Sequence, residues 1–210
     1  MTETSPFEHK VIPRLTDFRM QAEMTDLTIQ DVYAALGHDS ARNALIASDL
    51  RSALEARRAP LLLTGRKEHL KYFAAEVEGF AKHIFVLQGG MGKKQRRTTA
   101  EALAAVPETE SRVIIATGSY IGEGFDDARL DTLFLAMPIS WNWKGTLQQY
   151  VGRLHRLHDG KRVVQVYDYV DPNVAMLARM YDRRLKGYDA IGYTVERSVV
   201  EAPSTNTAQP

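Results

Sequence analysis

The segment Val113-Ile-Ile-Ala-Thr-Gly-Ser-Tyr-Ile-Gly-Glu-Gly-Phe-Asp126 decides the fold. Its first four residues form a short apolar run, as in a strand buried on both sides, and it passes directly into a loop with three glycines. Similar runs stand at Leu61–Thr64, Ile84–Leu87, Thr132–Ala136 and Val163–Tyr167. Between most of them lie stretches with helical periodicity: Lys67–Gly79, Lys93–Val106 and Gly145–Leu157. This alternation predicts an α/β fold, an open parallel sheet with helices on both faces. In such a sheet the loop after Ala116 leaves the carboxyl edge of a central strand, where ligands of open α/β folds bind. Its glycines permit tight turns and close approach of a ligand. The Thr117 and Ser119 hydroxyls with nearby amides suit a phosphodiester, and Glu123 or Asp126 suits ribose hydroxyls. A glycine-rich connection with helix-capping acids would look the same in sequence.

Outward from this centre, residues 1–27 carry Pro6 and Pro13 with weak periodicity and read as a linker or N-terminal arm outside the core. Residues 28–200 read as the principal domain. Two helices are expected between Thr28 and Arg58, the second capped by Asp39 or Ser40, and a last helix from Pro172 to Lys186 with Asp171 as its cap. Residues 201–210 lack apolar content and read as a disordered tail.

The segment Gln149-Tyr-Val-Gly-Arg-Leu-His-Arg156 falls inside a predicted helix. At about 100° per residue, Gln149, Gly152, Arg153 and Arg156 share one stripe, while Leu147, Val151 and Leu154 lie opposite. One face is core and the other is presented. A mid-helix glycine costs roughly 1 kcal/mol relative to alanine, so Gly152 implies close approach of another group. Two flanking guanidinium forks suit phosphate oxygens.

Composition excludes several classes. With 27 Lys and Arg against 26 Asp and Glu, the net charge is +1, so any polyanion-binding surface must be local. One such surface is Lys93-Lys-Gln-Arg-Arg97, where basic charge at a predicted helix start opposes the macrodipole. The absence of cysteine removes disulfides, thiolate metal sites and a Cys nucleophile. No apolar run approaches a membrane span and no signal-peptide pattern opens the sequence, so a cytoplasmic protein without a membrane partner is expected. No G-x-G-x-x-G follows a strand and opens a helix, which speaks against a dinucleotide oxidoreductase. His155 and His158, three apart, lack a third ligand in view and read as surface residues rather than a metal pair. Trp141 and Trp143 read as anchors of the loop before the Gln149 helix.

Gln149–Arg156 resembles the Q-x-x-G-R-x-x-R of helicase motif VI, and Thr117-Gly118 through Gly122-Glu123-Gly124-Phe125-Asp126 resembles motif V of the same superfamily. Leu61–Arg66 is similar to motif IV, and Gln88-Gly-Gly-Met91 to the following strand-end loop. The resemblance, over about residues 58–170, is to the second RecA-like domain of superfamily-2 helicases, and more to restriction and repair DNA helicases than to RNA helicases. It implies a RecA-like sheet, ATP with Mg2+ as the cofactor, and DNA as the partner. It makes Arg153 and Arg156 arginine fingers, with Gln149 in the phosphate network. It places Gly122, Glu123, Gly124 and Asp126 near the nucleotide. Thr64, Gly65, Arg66, Gly90, Lys93, Thr117 and Gly118 fall on the nucleic-acid strand.

The phosphate-binding loop G-x-x-x-x-G-K-[ST] is missing from the sequence. Gly89–Lys94 only imitates it, since Lys94 stands where Ser or Thr would meet magnesium. No DEAD-like carboxylate pair follows a strand, and Asp168 alone does not replace one. The chain therefore reads as a piece: one lobe whose Walker A-containing partner lobe is supplied in cis or in trans. A RecA-like adaptor that binds nucleic acid or protein without hydrolysis is the alternative.

Overall fold

The computed structural model describes residues 7–20, 28–122, 127–138 and 146–196. The predicted 201–210 tail lies outside them. The elements run β1 (Glu8–Leu15), α1 (Ile29–His38), α2 (Ser40–Glu55), β2 (Pro60–Thr64), α3 (Lys67–Glu76), β3 (His83–Leu87), α4 (Lys93–Ala104), β4 (Arg112–Thr117), α5 (Gly118–Gly122), β5 (Thr132–Leu135), α6 (Thr146–Leu154), β6 (Val163–Val170), α7 (Ala175–Ala190) and β7 (Thr194–Val195). Among the described residues the seven strands are all parallel, in the order β3-β4-β2-β5-β6-β1-β7. The expected α/β architecture is present.

The central strands are apolar at consecutive positions because both of their faces are covered. Leu61, Leu63, Ile114, Ala116, Leu133 and Leu135 join one cluster with Ile121 of α5, Tyr150, Val151 and Leu154 of α6 and Tyr188 of α7. The alternate residues Leu62, Val113, Ile115 and Phe134 pack on the other face against Ile46, Leu50 and Leu54 of α2 and Leu70 and Phe73 of α3. A third cluster seats Val32 and Leu36 of α1 against Phe18, Met137, Leu177 and Met180.

Residues 8–15, expected within a linker or arm, are instead strand β1, paired along its length with β6. Pro13 obscures this in the sequence, and its placement explains why it is tolerated. The Glu8 and Thr16 amides donate to Arg162 O and Val170 O on the β6 side, so the amide of the odd-numbered Pro13 faces the β7 side. There β7 pairs only with Lys10 and Val11, so at Pro13 the missing N–H removes no ladder bond.

Caps set the helix starts. Thr28 and Asp31 form a reciprocal capping box on α1, and Asp39 accepts from Arg42 N at 2.7 Å on α2, as expected. The last helix departs from expectation: it begins at Ala175 after Val174, without a side-chain cap. Asp171 is buried instead, accepting from Arg42 Nε at 2.9 Å and from the Thr16 hydroxyl. Among the described residues no helix is long and apolar enough to cross a membrane.

The carboxylate of Asp168, inside β6 and not at its end, is likewise committed. It receives both prongs of Arg184 at 2.8 Å each and the Tyr188 hydroxyl at 2.9 Å, all buried. Burial disfavours the Arg184 charge, but Asp168 holds its pKa above the ordinary arginine value. Removing one member of such a pair strands the other charge, at a cost of roughly 3–5 kcal/mol. Urea unfolding of Arg184→Ala should show a loss of about that size, and a loss within the range of an ordinary surface substitution would contradict the pairing.

Candidate nucleotide and nucleic-acid site

Strand order brings the candidate residues together. β3, β4 and β2 are neighbours, so the segments leaving their carboxyl ends, 88–90, 117–119 and 64–66, stand side by side. With Gln30, Tyr33, Lys67, Met137, Pro138 and Tyr150 they line a cavity of about 820 Å³. Thr117 Oγ1 accepts from Gly89 N at 3.0 Å and lies 3.2 Å from Ser119 Oγ, joining two of the three segments. Gly89 packs closely on Ser119: a Cβ there would overlap the Ser119 hydroxyl and lie 3.2 Å from its Cβ.

Not every expected contact faces outward. Thr64 is buried, its hydroxyl 3.0 Å from His69 Nδ1 and accepting from Arg66 N at 3.2 Å. His69 continues to Gly37 O at 3.0 Å, and burial pushes its pKa below the usual histidine range. Thr64 thus fixes the turn rather than offering its hydroxyl. Arg66 folds back across α1: a Cβ at Gly37 would lie 2.7 Å from its Cδ, and its Nε is 3.7 Å from Glu68. Gly65, Gly90 and Lys93 are exposed, and Thr117 and Gly118 are half-buried. In the basic run, Lys93 and Lys94 are exposed at the start of α4, whose first turn contains no acid. Arg96 donates to Met91 O at 2.9 Å, and Arg97 pairs with Glu101 at 2.8 Å.

On α6 the expected stripe is present as far as the helix extends. Gln149 and Gly152 are exposed and Arg153 is half-buried, while Val151 and Leu154 are wholly buried. The helix ends at Leu154, so Arg156 is not part of its surface as the spacing suggested but lies exposed beyond the last turn. Lys161 stops the helix. Its buried ammonium donates to Leu154 O at 3.0 Å, Arg156 O at 2.8 Å and Ala128 O at 2.7 Å, using all three donors. Burial lowers its pKa, opposed by Asp131 and Asp127. A charged residue after a loop carries no core signal in sequence, and Lys161 was not legible there; nor was Tyr150, whose ring reads simply as helix core.

Gly122 ends α5, while Glu123, Gly124 and Asp126 lie outside the described residues, as do Trp141, Trp143 and the Leu147 side chain. His155 and His158 make separate contacts. His158 lies 3.2 Å from Glu108, and His155 Nε2 lies 2.9 Å from Tyr193 Oη. The His155 ring stacks on His9 at 4.5 Å, joining the end of α6 to β1.

Burial, then the charges of His9 and Lys161, push the His155 pKa down to about 4. The folded chain therefore keeps this ring neutral, while the unfolded chain takes up a proton near pH ~6.5. Between those values the unfolded state binds more protons. This contribution is complete above ~6.5 and is lost as the pH falls toward 4, by an amount on the order of 2 kcal/mol after discounting for partial exposure. His155→Phe should lessen the fall of Tm across that window relative to the unchanged chain; parallel curves would contradict the assignment.

No family model matches the chain. Putative helicase 161L of Invertebrate iridescent virus 6 is 36% identical over 85 residues, covering 40% of this chain and 18% of that protein. The uncharacterized protein 108L of Invertebrate iridescent virus 3 is 31% identical over 98 residues, covering 47% of this chain and 88% of that protein. Among solved structures, T4 UvsW matches with a TM-score of 0.68 at 19% identity, over 93% of this chain and 42% of UvsW. The C-terminal domain of the DEAD-box protein Dbp5 matches at 0.60 and 12% identity, over 91% of this chain and 90% of the domain. Dbp5 of S. cerevisiae bound to RNA and ADP BeF3 matches at 0.57 and 11% identity, over 92% of this chain and 42% of that one. The chain thus spans less than half of UvsW and of the RNA-bound Dbp5 chain, and under a fifth of 161L.

Proposed function

Since the chain belongs to the family of protein 108L and has the fold of a superfamily-2 helicase C-terminal domain, we propose that it is the second lobe of an ATP-dependent DNA helicase or translocase. A Walker A-containing first lobe, in cis or in trans, completes the motor. The observation that carries this reading is the position of α6. Its outer face presents Gln149, Gly152 and Arg153, and its inner face anchors it beside the edge where three strand-end segments meet.

In this reading Arg153 and Arg156 approach the terminal phosphates of ATP from across the interlobe cleft, and Gln149 joins their hydrogen-bond network. Permanent positive charge stabilises the negative charge that develops on a transferring phosphoryl group. The outer face is open beside them, since a Cβ at Gly152 would meet nothing within 4 Å. The residues described do not suit magnesium, because Asp168 already holds Arg184 and Tyr188. Mg2+ and most of the nucleotide are therefore assigned to the first lobe, with Gly122, Glu123, Gly124 and Asp126 on the sugar side. Gly65, Gly90, Lys93, Thr117 and Gly118 meet the strand's phosphates, and Thr64 and Arg66 shape the turn beneath them. DNA is preferred because Gln149 opens motif VI where DEAD-box RNA helicases place histidine. A cytoplasmic setting fits the lack of cysteine.

Fluorescence anisotropy with oligo(dT) and oligo(rU) tests the strand surface. Counterion release gives a log–log salt slope of about −0.7 per neutralised phosphate on single strands. A few contacts should give a slope near −2, and replacing Lys93 and Lys94 by Ala should reduce it by roughly 1 to 1.5. Affinity indifferent to salt, or unchanged after Lys93→Ala, Lys94→Ala and Thr117→Ala together, would contradict the surface.

A further inference from the structure

We infer that the Tyr150 hydroxyl donates a hydrogen bond to a phosphodiester oxygen of a single nucleic-acid strand crossing the carboxyl edge of the sheet. The inference rests on the strand-binding reading of that edge and adds a contact from the arginine-bearing helix itself. Tyr150 belongs to α6, and its ring is buried in the cluster with Val151 and Leu154. Its far end reaches the start of α5: a Cβ at Gly118 would overlap Tyr150 Oη and come within 3.3 Å of Cζ. The same residue lines the cavity with Gly89, Gly90, Thr117 and Ser119.

A phenol is unexpected here if packing is its whole role. Phenylalanine would fill the same apolar space, and a tyrosine hydroxyl at a buried position ordinarily finds a partner. The nearby Thr117 Oγ1 is already engaged with Gly89 N and Ser119. Burial, with no hydrogen bond contributing, raises the Tyr150 pKa, so the hydroxyl stays protonated and able to donate. A phosphodiester supplies only acceptors, and this O–H supplies the matching donor at the cavity wall. The geometry also joins two tasks on one nine-residue helix. Tyr150 faces the strand while Gln149 and Arg153 face outward, so a seated strand fixes the helix that presents the arginine.

The test uses the full chain with fluorescently labelled oligo(dT) and oligo(rU). Tyr150→Phe should weaken binding of both by roughly three- to tenfold, the worth of one hydrogen bond. The salt slope should stay unchanged, because a neutral phenol releases no counterion. Gly118→Ala, which displaces the ring, should weaken binding similarly. Without any substitution, adding oligonucleotide should slow hydrogen exchange at the α6 amides. Equal affinity of Tyr150→Phe and the unchanged chain, or α6 exchange indifferent to the oligonucleotide, would overturn this contact while leaving the strand-binding reading intact. Weakening of only one oligonucleotide would overturn the phosphodiester assignment in favour of a sugar or base contact. Failure of the unchanged chain to bind either would overturn both the contact and the reading beneath it.

Discussion

A wholly parallel sheet sends the carboxyl end of every strand to one edge, and this constraint organises the molecule. Because β3, β4 and β2 are adjacent, three strand-end segments far apart in sequence meet there without needing any contact of their own to find one another. The same topology requires a helix crossover between strands, which buries both sheet faces. Helix α6 lies on one of those faces through Val151 and Leu154, and its burial orients the opposite face. The position of Arg153 is thus a consequence of core packing two residues before it and one after.

Close approach then sharpens the arrangement. Gly118 and Gly89 permit close packing: a Cβ at Gly118 would overlap the Tyr150 hydroxyl, and one at Gly89 the Ser119 hydroxyl. These two contacts join α6 to α5, which follows β4 directly, and α5 to the loop after β3. Lys161 completes the set by gathering the carbonyls of Leu154 at the end of α6, of Arg156 just beyond it and of Ala128 around one ammonium. A buried lysine with three carbonyl acceptors is held by geometry that a substitute of equal charge and different shape cannot reproduce. The buried Arg42–Asp171 and Arg184–Asp168 pairs play a related part at the carboxyl end of β6, each tying a helix to the strand or to the residue just beyond it.

Much of this was legible in the sequence, for a physical reason. Strands covered on both faces, such as β2, β4 and β5, are apolar at nearly every position and stand out as short apolar runs between helical stretches, and the α6 stripe follows from helical spacing. What stayed hidden involves polar groups and edges. β1 contains a proline, tolerated where its nitrogen faces the β7 side beyond the two residues that β7 pairs, so its run reads as a linker. Asp171 looks like a cap but is buried against Arg42, a partner 129 positions away. Thr64 looks exposed at a strand end but turns inward to His69. Arg156 fits a helical stripe only if the helix continues, and the lysine that ends it lies five residues further on. Long-range hydrogen bonds of this kind leave no periodic trace.

The central claim is that this chain completes an ATPase site through Arg153 and Arg156 and cannot form one alone. The direct measurement is nucleic-acid-stimulated ATP hydrolysis by the chain alone and joined to a Walker A-containing first lobe, with and without Arg153→Ala and Arg156→Ala. An arginine finger contributes roughly 10³–10⁵ in rate, about 4–7 kcal/mol of barrier. The account expects background hydrolysis from the chain alone, turnover in the joined form, and near-abolition by either substitution with the folded state retained. Hydrolysis by the isolated chain, or a joined form that keeps its rate without both arginines, would contradict it.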